Sequence, residues 1–494
     1  MMNRYRVFDT ACDDLVEVIN RHQKDIGKRG MNKKDAHLIR VSVRKLVRDT
    51  LGVCFGCKRA GNASIHLNKN DYSNGKLGDI LTYRYHVERA YSSLLNLGYL
   101  AQVKKGVSNG LVGKYLTRYR ATPKLLAMFS TINSIELPAI LPADETEPLI
   151  RAQKKKLLGI DPRGMKITRN IPVPVIFKTE DRQIPANVML INKALQLNWI
   201  DLELDDSEFD ILQERMKRKD DGGGDKFDYL NLANKSLVRI FNSSDLTLGG
   251  RFYGGWWQNI PSKYRESLII DGKRTVEIDF PALHPTILYA EKGLKIGPCA
   301  YDGIIIPKDQ TDAGKKLARD TVKRCLFAII NSGSEMERAP RGLSLSSFGT
   351  NWRKVIDAIQ IKHSSIKDSF FSGAGSRLQR VDSDIAEEIM LHFAKLGIPI
   401  LPMHDSFIMH HGYEQHLRDK MCEVFEKRMG IPMQIETPSE IKHLEYQRIQ
   451  SSKADTELAV EKFEFGEPTT DDIVYLMTLF NNGHDRRLNR FRNG

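Results

Sequence analysis

Apolar positions recur at two periods along this chain, and the change of period marks its elements. Over residues 78–98 ("GDILTYRYHVERAYSSLLNLG") Leu81, Val87, Tyr91, Leu94 and Leu95 fall near helical spacing, and Gly98 supplies a stop. Residues 100–122 then alternate in two stretches around an Asn-Gly turn signal, which predicts a hairpin. Residues 136–190 are rich in proline and mixed charge, the composition of a linker or extended arm. Residues 191–242 read as helical, interrupted by the "KDDGGGDK" tip at 219–226. Beyond 243 strands and helices mix. Val276, Ile278 and Phe280 alternate with Glu277 and Asp279 until Pro281 ends the strand. Two apolar runs flank His404-Asp405-Ser406, as in a hairpin with the acid at its turn, and residues 312–334 return to helical spacing.

At 494 residues the chain predicts two or three domains, and 41% hydrophobic residues suffice for real cores. No apolar run reaches the length of a membrane span and the first fifteen residues lack a signal-peptide core, so a soluble, cytoplasmic protein without a membrane partner is expected. Lys and Arg exceed Asp and Glu by 75 to 62, a net +13 that suits a polyanionic partner. The six scattered cysteines suit reduced thiols. Cys54 and Cys57, with His66 as the one nearby candidate, fall short of the four ligands of a structural zinc site, so small core residues are the default. The helix and cationic hairpin of 78–122 together look like a winged helix, with Tyr83, Arg84, His86 and Arg89 along the helix and Lys104 and Lys105 in the wing. The C-terminal "GHDRRLNRFRNG" reads as a polar, basic tail, mobile or bound to nucleic acid.

Candidate chemistry concentrates after residue 245. A carboxylate inside an apolar strand is costly unless a cation compensates it. Asp279 and Asp405 could reach one sheet edge, where divalent ions shared with substrate phosphates would clamp an in-line phosphoryl displacement. The helix over 312–334 sets Lys316, Arg319 and Lys323 near one face and continues it with Phe327, a row able to hold a triphosphate and stack a base. Each acid alone could cap a turn or pair with a basic residue; together with that row they point to nucleotidyl transfer. Just upstream, "GGWWQNIPSKYR" (254–265) places Gln258 and Asn259 before the Asp279 strand, its tryptophans read as core packing.

Five segments, in order, resemble family A DNA polymerases, the bacterial polymerase I type, and more distantly single-subunit phage RNA polymerases. These are "GGRFYGGWWQNIP", "DFPALHPTILYA", "RDTVKRCLFAIINS" with its Arg-x3-Lys-x3-Phe spacing, "LQRVDSDIAEEIM" with Gln379 and Asp384, and "MHDSF", spread over roughly 245–440. The resemblance implies an α+β right-hand polymerase core of palm, fingers and thumb-like helices. It implies catalysis by Asp279 and Asp405, two Mg2+ ions (Mn2+ as an alternative) at Asp279, Asp405 and Phe280, and nucleotide contacts from His284, Arg319, Lys323 and Phe327. Primer and template would meet Arg251, Gln258, Asn259, Gln379 and His404.

The expected division is a winged-helix-like nucleic-acid-binding domain at 1–135, an arm at 136–190, a thumb-like segment at 191–245, the core at 246–450 and a tail at 451–494. The chain departs from the family pattern at His284, where glutamate is usual and where the resemblance implies a steric gate facing the ribose 2′-hydroxyl, at Asn331-Ser332 in place of Tyr-Gly, and at "HDSF", the phage RNA polymerase form. No upstream set of spaced acids suits a proofreading exonuclease. The expected activity is DNA-directed DNA synthesis on a primer–template from nucleoside triphosphates. RNA synthesis or priming, and a replication initiator with an inactive core, remain as alternatives.

Overall fold

The computed structural model describes residues 5–27, 30–56, 62–65, 67, 86–109, 113–131, 139, 141, 148–160, 166–218, 230–297, 299–307, 309–433, 435 and 483–493. Helix and sheet mix throughout, an α+β arrangement. Two hydrophobic cores form. The first belongs to the N-terminal third, where helices Arg6–Asp25, Lys33–Gly56 and Glu88–Asn96 pack together. Phe8, Cys12, Leu15 and Ile19 recur every three or four residues on the first helix and are all buried. Strands β1 (Ala63–Ile65), β2 (Leu100–Lys104), β3 (Val107–Asn109), β4 (Gly113–Tyr115) and β5 (Thr117–Ala121) follow, in an antiparallel sheet of order β1-β5-β2 and a separate β3-β4 hairpin. The helix ending before Gly98 and the hairpin after it are thus both present; Gly98 takes the left-handed backbone (φ 74°) that stops the helix.

The second core spans the remainder of the chain. One sheet has the order β10-β9-β6-β7, from β6 (Ile150–Ile160), β7 (Lys166–Val173), β9 (Val238–Phe241) and β10 (Gly249–Tyr253). Its pairs are antiparallel except β6 with β9. The other sheet is antiparallel, of order β13-β14-β12-β11-β8, from β8 (Ile200–Leu202), β11 (Leu268–Ile270), β12 (Lys273–Asp279), β13 (Leu401–Met403) and β14 (Ser406–His410). The long helix Gly375–Lys395 packs on β10 and on helices Ile184–Leu197 and Glu414–Met429. Its stripe Leu378, Asp382, Ile385, Ile389, Phe393 is buried throughout, an apolar face interrupted by one acid. No helix among the described residues is long and apolar enough to cross a membrane.

Three stretches differ from what composition suggests. Residues 150–173, read as part of a linker or arm, pair as a β-hairpin whose first strand joins the sheet of β9 and β10. Proline and charge set the composition there, but the alternation of the strands decides the structure. The segment 191–245 is not helical throughout, since β8 and β9 separate and follow its helices; the glycine-rich tip at 219–226 lies outside the described residues.

The basic C-terminal segment forms helix Gly483–Asn493 and docks. Arg487 donates two hydrogen bonds to Asp201, at 2.8 and 2.9 Å, with both side chains almost fully enclosed. Phe491 stacks near Trp199, and Leu488 is buried beside them. Arg487, Leu488 and Phe491 share one helical face, which a count of charges does not register.

Removing one partner of a buried ion pair leaves the other charge stranded. Arg487→Ala should therefore lower the unfolding free energy by about 3 kcal/mol or more in urea titration, and Asn489→Ala, on the exposed face of the same helix, by less than about 0.5 kcal/mol. Equal, small effects would show that the docked helix contributes nothing to stability.

Candidate functional site

The site begins with the register of β12 against β14, which runs from Thr275↔His410 to Asp279↔Ser406. β13 reaches β14 through a two-residue turn, His404-Asp405, closed by the Met403↔Ser406 pair. His404 takes the left-handed backbone there (φ 69°), a conformation costly outside glycine and a mark of sites under constraint. Asp405 therefore directly precedes the strand that carries Asp279's partner, and its carbonyl accepts a hydrogen bond from Phe280 N at 3.2 Å. The two acids expected to meet are together.

Their proximity has an electrostatic consequence. Burial and then the charge of Asp405 push the Asp279 carboxyl up to about 7, opposed chiefly by Lys323. The carboxyl opens on the cleft, so water screens it in part. Glu277, on the same face two residues earlier, accepts a hydrogen bond from Ser406 Oγ and faces Arg265 at 3.6 Å. The Phe280 ring is buried against Phe407 and Phe425, so only its backbone can serve a ligand.

Helix Asp312–Asn331 supplies the facing wall. Lys316, Arg319, Lys323 and Phe327 all lie on its exposed side, and Lys323 is close enough to act on Asp279. The Arg319 guanidinium lies 5.6 Å from the Tyr301 ring centre and 3.9 Å from Asp302. Burial raises the Tyr301 hydroxyl to about 12, with the charges of Asp405 and Asp279 adding to it, which sets this phenol beside the acids.

Arg251 arrives by a different route. β10 bulges between Gly249 and Arg251, and Gly250 (φ 93°) sits so tightly that a Cβ would meet Phe241 at 2.7 Å and Ser383 at 2.9 Å. The bulge aims Arg251 at Asp382, which is 3% exposed, and His284 Nε2 lies 2.8 Å from the same carboxylate. Burial opposes charge on Arg251, but the hydrogen bond and charge of Asp382, with Asp405 beyond, outweigh it and raise its pKa. His284 is 5% exposed, stacks on Phe327 (5.9 Å, 16°), and its Nδ1 is buried with no partner. His284 is thus tied back beneath Phe327 rather than standing free in the cleft.

The other expected residues divide. His404 keeps an exposed edge beside the Tyr253 ring at 5.7 Å, and the partial burial of its imidazole, with Arg251's charge, lowers its pKa. Asn259 is exposed. The Gln258 carboxamide bonds Gly254 N, Phe252 O and Pro402 O, so it holds its own loop together rather than reaching outward. Gln379 Oε1 accepts a long bond from Asn242. Asp384 pairs with Arg239 at 2.9 Å and with Arg380 at 2.8 Å. Trp256 and Trp257 are core residues, at 2% and 0% exposure.

In the N-terminal unit Lys104 and Lys105 are exposed and Arg89 is half-buried, while Arg84 and Tyr83 lie outside the described residues. His86 turns inward to Asp35 at 3.2 Å, so it is not on the outer face of its helix. Burial raises the Cys54 thiol, and Cys57 and His66 lie outside the described residues. A cavity of about 520 Å3, lined among others by Arg48, Asn62, Arg151, Asn234 and Tyr253, lies between the two units.

Sequence reasoning missed Asp382, Tyr301 and Tyr253. Asp382 left one readable signal, an acid in register with Leu378 and Ile385 on an apolar helical face; the tyrosines left none. No protein-family model matches the chain, and no curated protein sequence matches it.

Asp279 sits above the ordinary carboxyl value of 3.8, so the folded state holds its proton more tightly than the unfolded chain does. Ionising it weakens the metal-free fold as pH rises from about 4 to about 7. Asp279→Asn mimics the protonated acid. At about pH 3.5, below the unfolded-state value, variant and parent should melt alike, and at about pH 8 in chelator the variant should melt higher. A parent as stable as the variant at the higher pH would mean that the two acids do not strain one another.

Proposed function

We propose that the chain is a template-directed nucleotidyltransferase that extends a nucleic-acid 3′ end from nucleoside triphosphates. One observation carries this reading: two carboxylates from adjacent antiparallel strands are forced together opposite a helix face of Lys316, Arg319, Lys323 and Phe327. The oxygen donors of Asp279, Asp405 and the Phe280 backbone fit hard divalent cations, Mg2+ first and Mn2+ as an alternative. Asp279, its carboxyl pushed up to about 7 by burial and then by Asp405, is the kind of acid that a cation relieves. When bound, such ions neutralise charge on the attacking and leaving oxygens of an in-line phosphoryl transfer.

The residues of the chain then take distinct parts. Lys323, Arg319 and Lys316 line up for the triphosphate, and the half-exposed Phe327 ring offers a stacking surface for the base. His404, exposed beside Tyr253, borders the position a primer end would occupy. Arg251 and His284 hold Asp382 and so fix the wall behind Phe327. The five-stranded sheet corresponds to the palm of a polymerase core and the 312–331 helix to its fingers. The N-terminal unit, with its exposed Lys104 and Lys105, serves as a winged-helix-like nucleic-acid-binding domain.

A second reading, RNA rather than DNA synthesis, is favoured by one observation. His284, at the position expected to face the sugar, is 5% exposed and bonded to Asp382, so it does not stand as a free steric gate.

Primer extension with deoxynucleotides and ribonucleotides side by side tests the proposal. The parent should extend a primed template in Mg2+. Asp279→Asn and Asp405→Asn should each cut incorporation by about a thousandfold or more, an effect of several kcal/mol on the transition state. Substantial extension by either purified variant sinks the two-carboxylate assignment.

A further inference from the structure

The β6-β7 hairpin has a composition and an exposure that the proposed active site does not use. Beyond Ala152 its strands pair only with each other, through Lys154↔Ile171, Lys155↔Asn170, Lys156↔Arg169 and Leu157↔Thr168. From Gln153 to Ile160 the ribbon extends about 25 Å at the ordinary rise of a strand. Lys154, Lys155, Lys156 and Arg169 are exposed, and Leu157, Leu158 and Ile167 are about half exposed near its far end. Two strands without a covered face are marginal in water, so this ribbon is built to be covered.

Charge says by what. Across 150–173 the sequence places Arg151, Lys154, Lys155, Lys156, Arg163, Lys166 and Arg169 against Asp161 alone. Among the described residues, Lys154, Lys155, Lys156 and Arg169 make no ion pair. Lys156 and Arg169 lie directly opposite one another, a like-charge pair that destabilises an antiparallel ladder unless an anion lies between or over them. Register also divides the cations: Lys154, Lys156 and Arg169 share one face and Lys155 takes the other.

We propose that this ribbon lies in the major groove of a double-stranded nucleic acid. That groove, about 12 Å wide, admits a two-stranded ribbon. Cations on both faces meet the phosphate strands that flank it on either side, and the apolar far end contacts base edges and methyl groups. A single strand presents phosphates to one face only. The inference adds a contact surface to the nucleic-acid reading above.

The test uses the full chain and a fluorescein-labelled duplex, read by anisotropy across a salt series, with the matching single strand in parallel. No nucleotide is added, so a chain that incorporates nothing leaves the outcome interpretable. The combined Lys154→Gln, Lys155→Gln and Lys156→Gln variant, altered only at exposed side chains, should keep the parent's melting temperature. It should lose about tenfold or more in duplex affinity, with the salt slope falling by about 2.7, or about 0.9 per phosphate contact. Single-strand affinity should change much less. Unchanged duplex affinity and slope overturn the proposal, and an equal loss on the single strand overturns the groove assignment. Duplex binding kept while binding to phosphatidylserine vesicles is lost would make the ribbon a membrane-surface contact instead.

Discussion

The pairing of β12 with β14 is the constraint on which the site depends. A strand carries opposite faces at alternate residues, so a slip of one position would turn Asp279 into the core and bring Ile278 to the cleft. The buried side chains Val276 and Ile278 oppose that slip, because exposing them costs apolar burial on the order of 1.5–3 kcal/mol each. The same register positions the His404-Asp405 turn, and the Phe280 N to Asp405 O bond locks the strand end to it. Proximity of the two acids, the high Asp279 pKa and the approach of Lys323 are all consequences of this single alignment.

Comparing the acids of the second core separates structural carboxylates from the candidate site. Asp382 is enclosed, and Arg251 and His284 satisfy it. Asp201 is enclosed, and Arg487 and the Trp199 indole satisfy it. Glu387 and Asp384 share Arg239, a fully buried guanidinium that also donates to Gly250 O and Ser383. In each case the fold supplies a guanidinium at hydrogen-bonding distance, as burial of charge requires. Asp279 has no such partner. The charges that act on its carboxyl are those of Asp405 and Glu277, which raise its pKa, and that of Lys323, which opposes them. A fold that gives these four acids a guanidinium each and gives Asp279 none leaves room there for a cation to be supplied from outside.

How much of this the sequence disclosed follows from the range over which each feature acts. The Asp279 strand, the Asp405 turn and the cationic helix were legible because alternation, turn chemistry and helical spacing are local. The partners of charged residues were not. Arg251 reads as a contact for nucleic acid until Asp382, over a hundred residues away, is seen to hold it, and His284 reads as a gate until the same carboxylate draws it back. Gln258 looks available until three backbone groups of its own loop and of β13 take its carboxamide. The C-terminal helix shows the same limit from the other side: four arginines in eleven residues look solvated, yet one meets a buried aspartate from the second core. Charge patterns state what a residue could bind, and only tertiary structure states whether it is already bound.

The net positive charge of the chain then acquires a location. The β6-β7 ribbon holds cations with no acid in its strands, while the acids of the cleft lack an adequate counter-charge. These complementary deficits are linked across two sheets: β6 pairs with β9 and β9 with β10, and Tyr253 at the end of β10 lies against His404, in the turn that joins β13 to β14 of the other sheet. Hydrogen-bonded strands lie about 4.8 Å apart, so the base of the ribbon keeps a fixed separation from β10 and from the Tyr253 ring that meets His404. On the proposed reading, a duplex seated on the ribbon presents its end to the acids at a distance set by the sheet rather than by a flexible linker. Positioning of that kind contributes to catalysis by removing the entropy of alignment before the reaction begins. The stretch whose composition looked least structured is then the one that measures out the substrate.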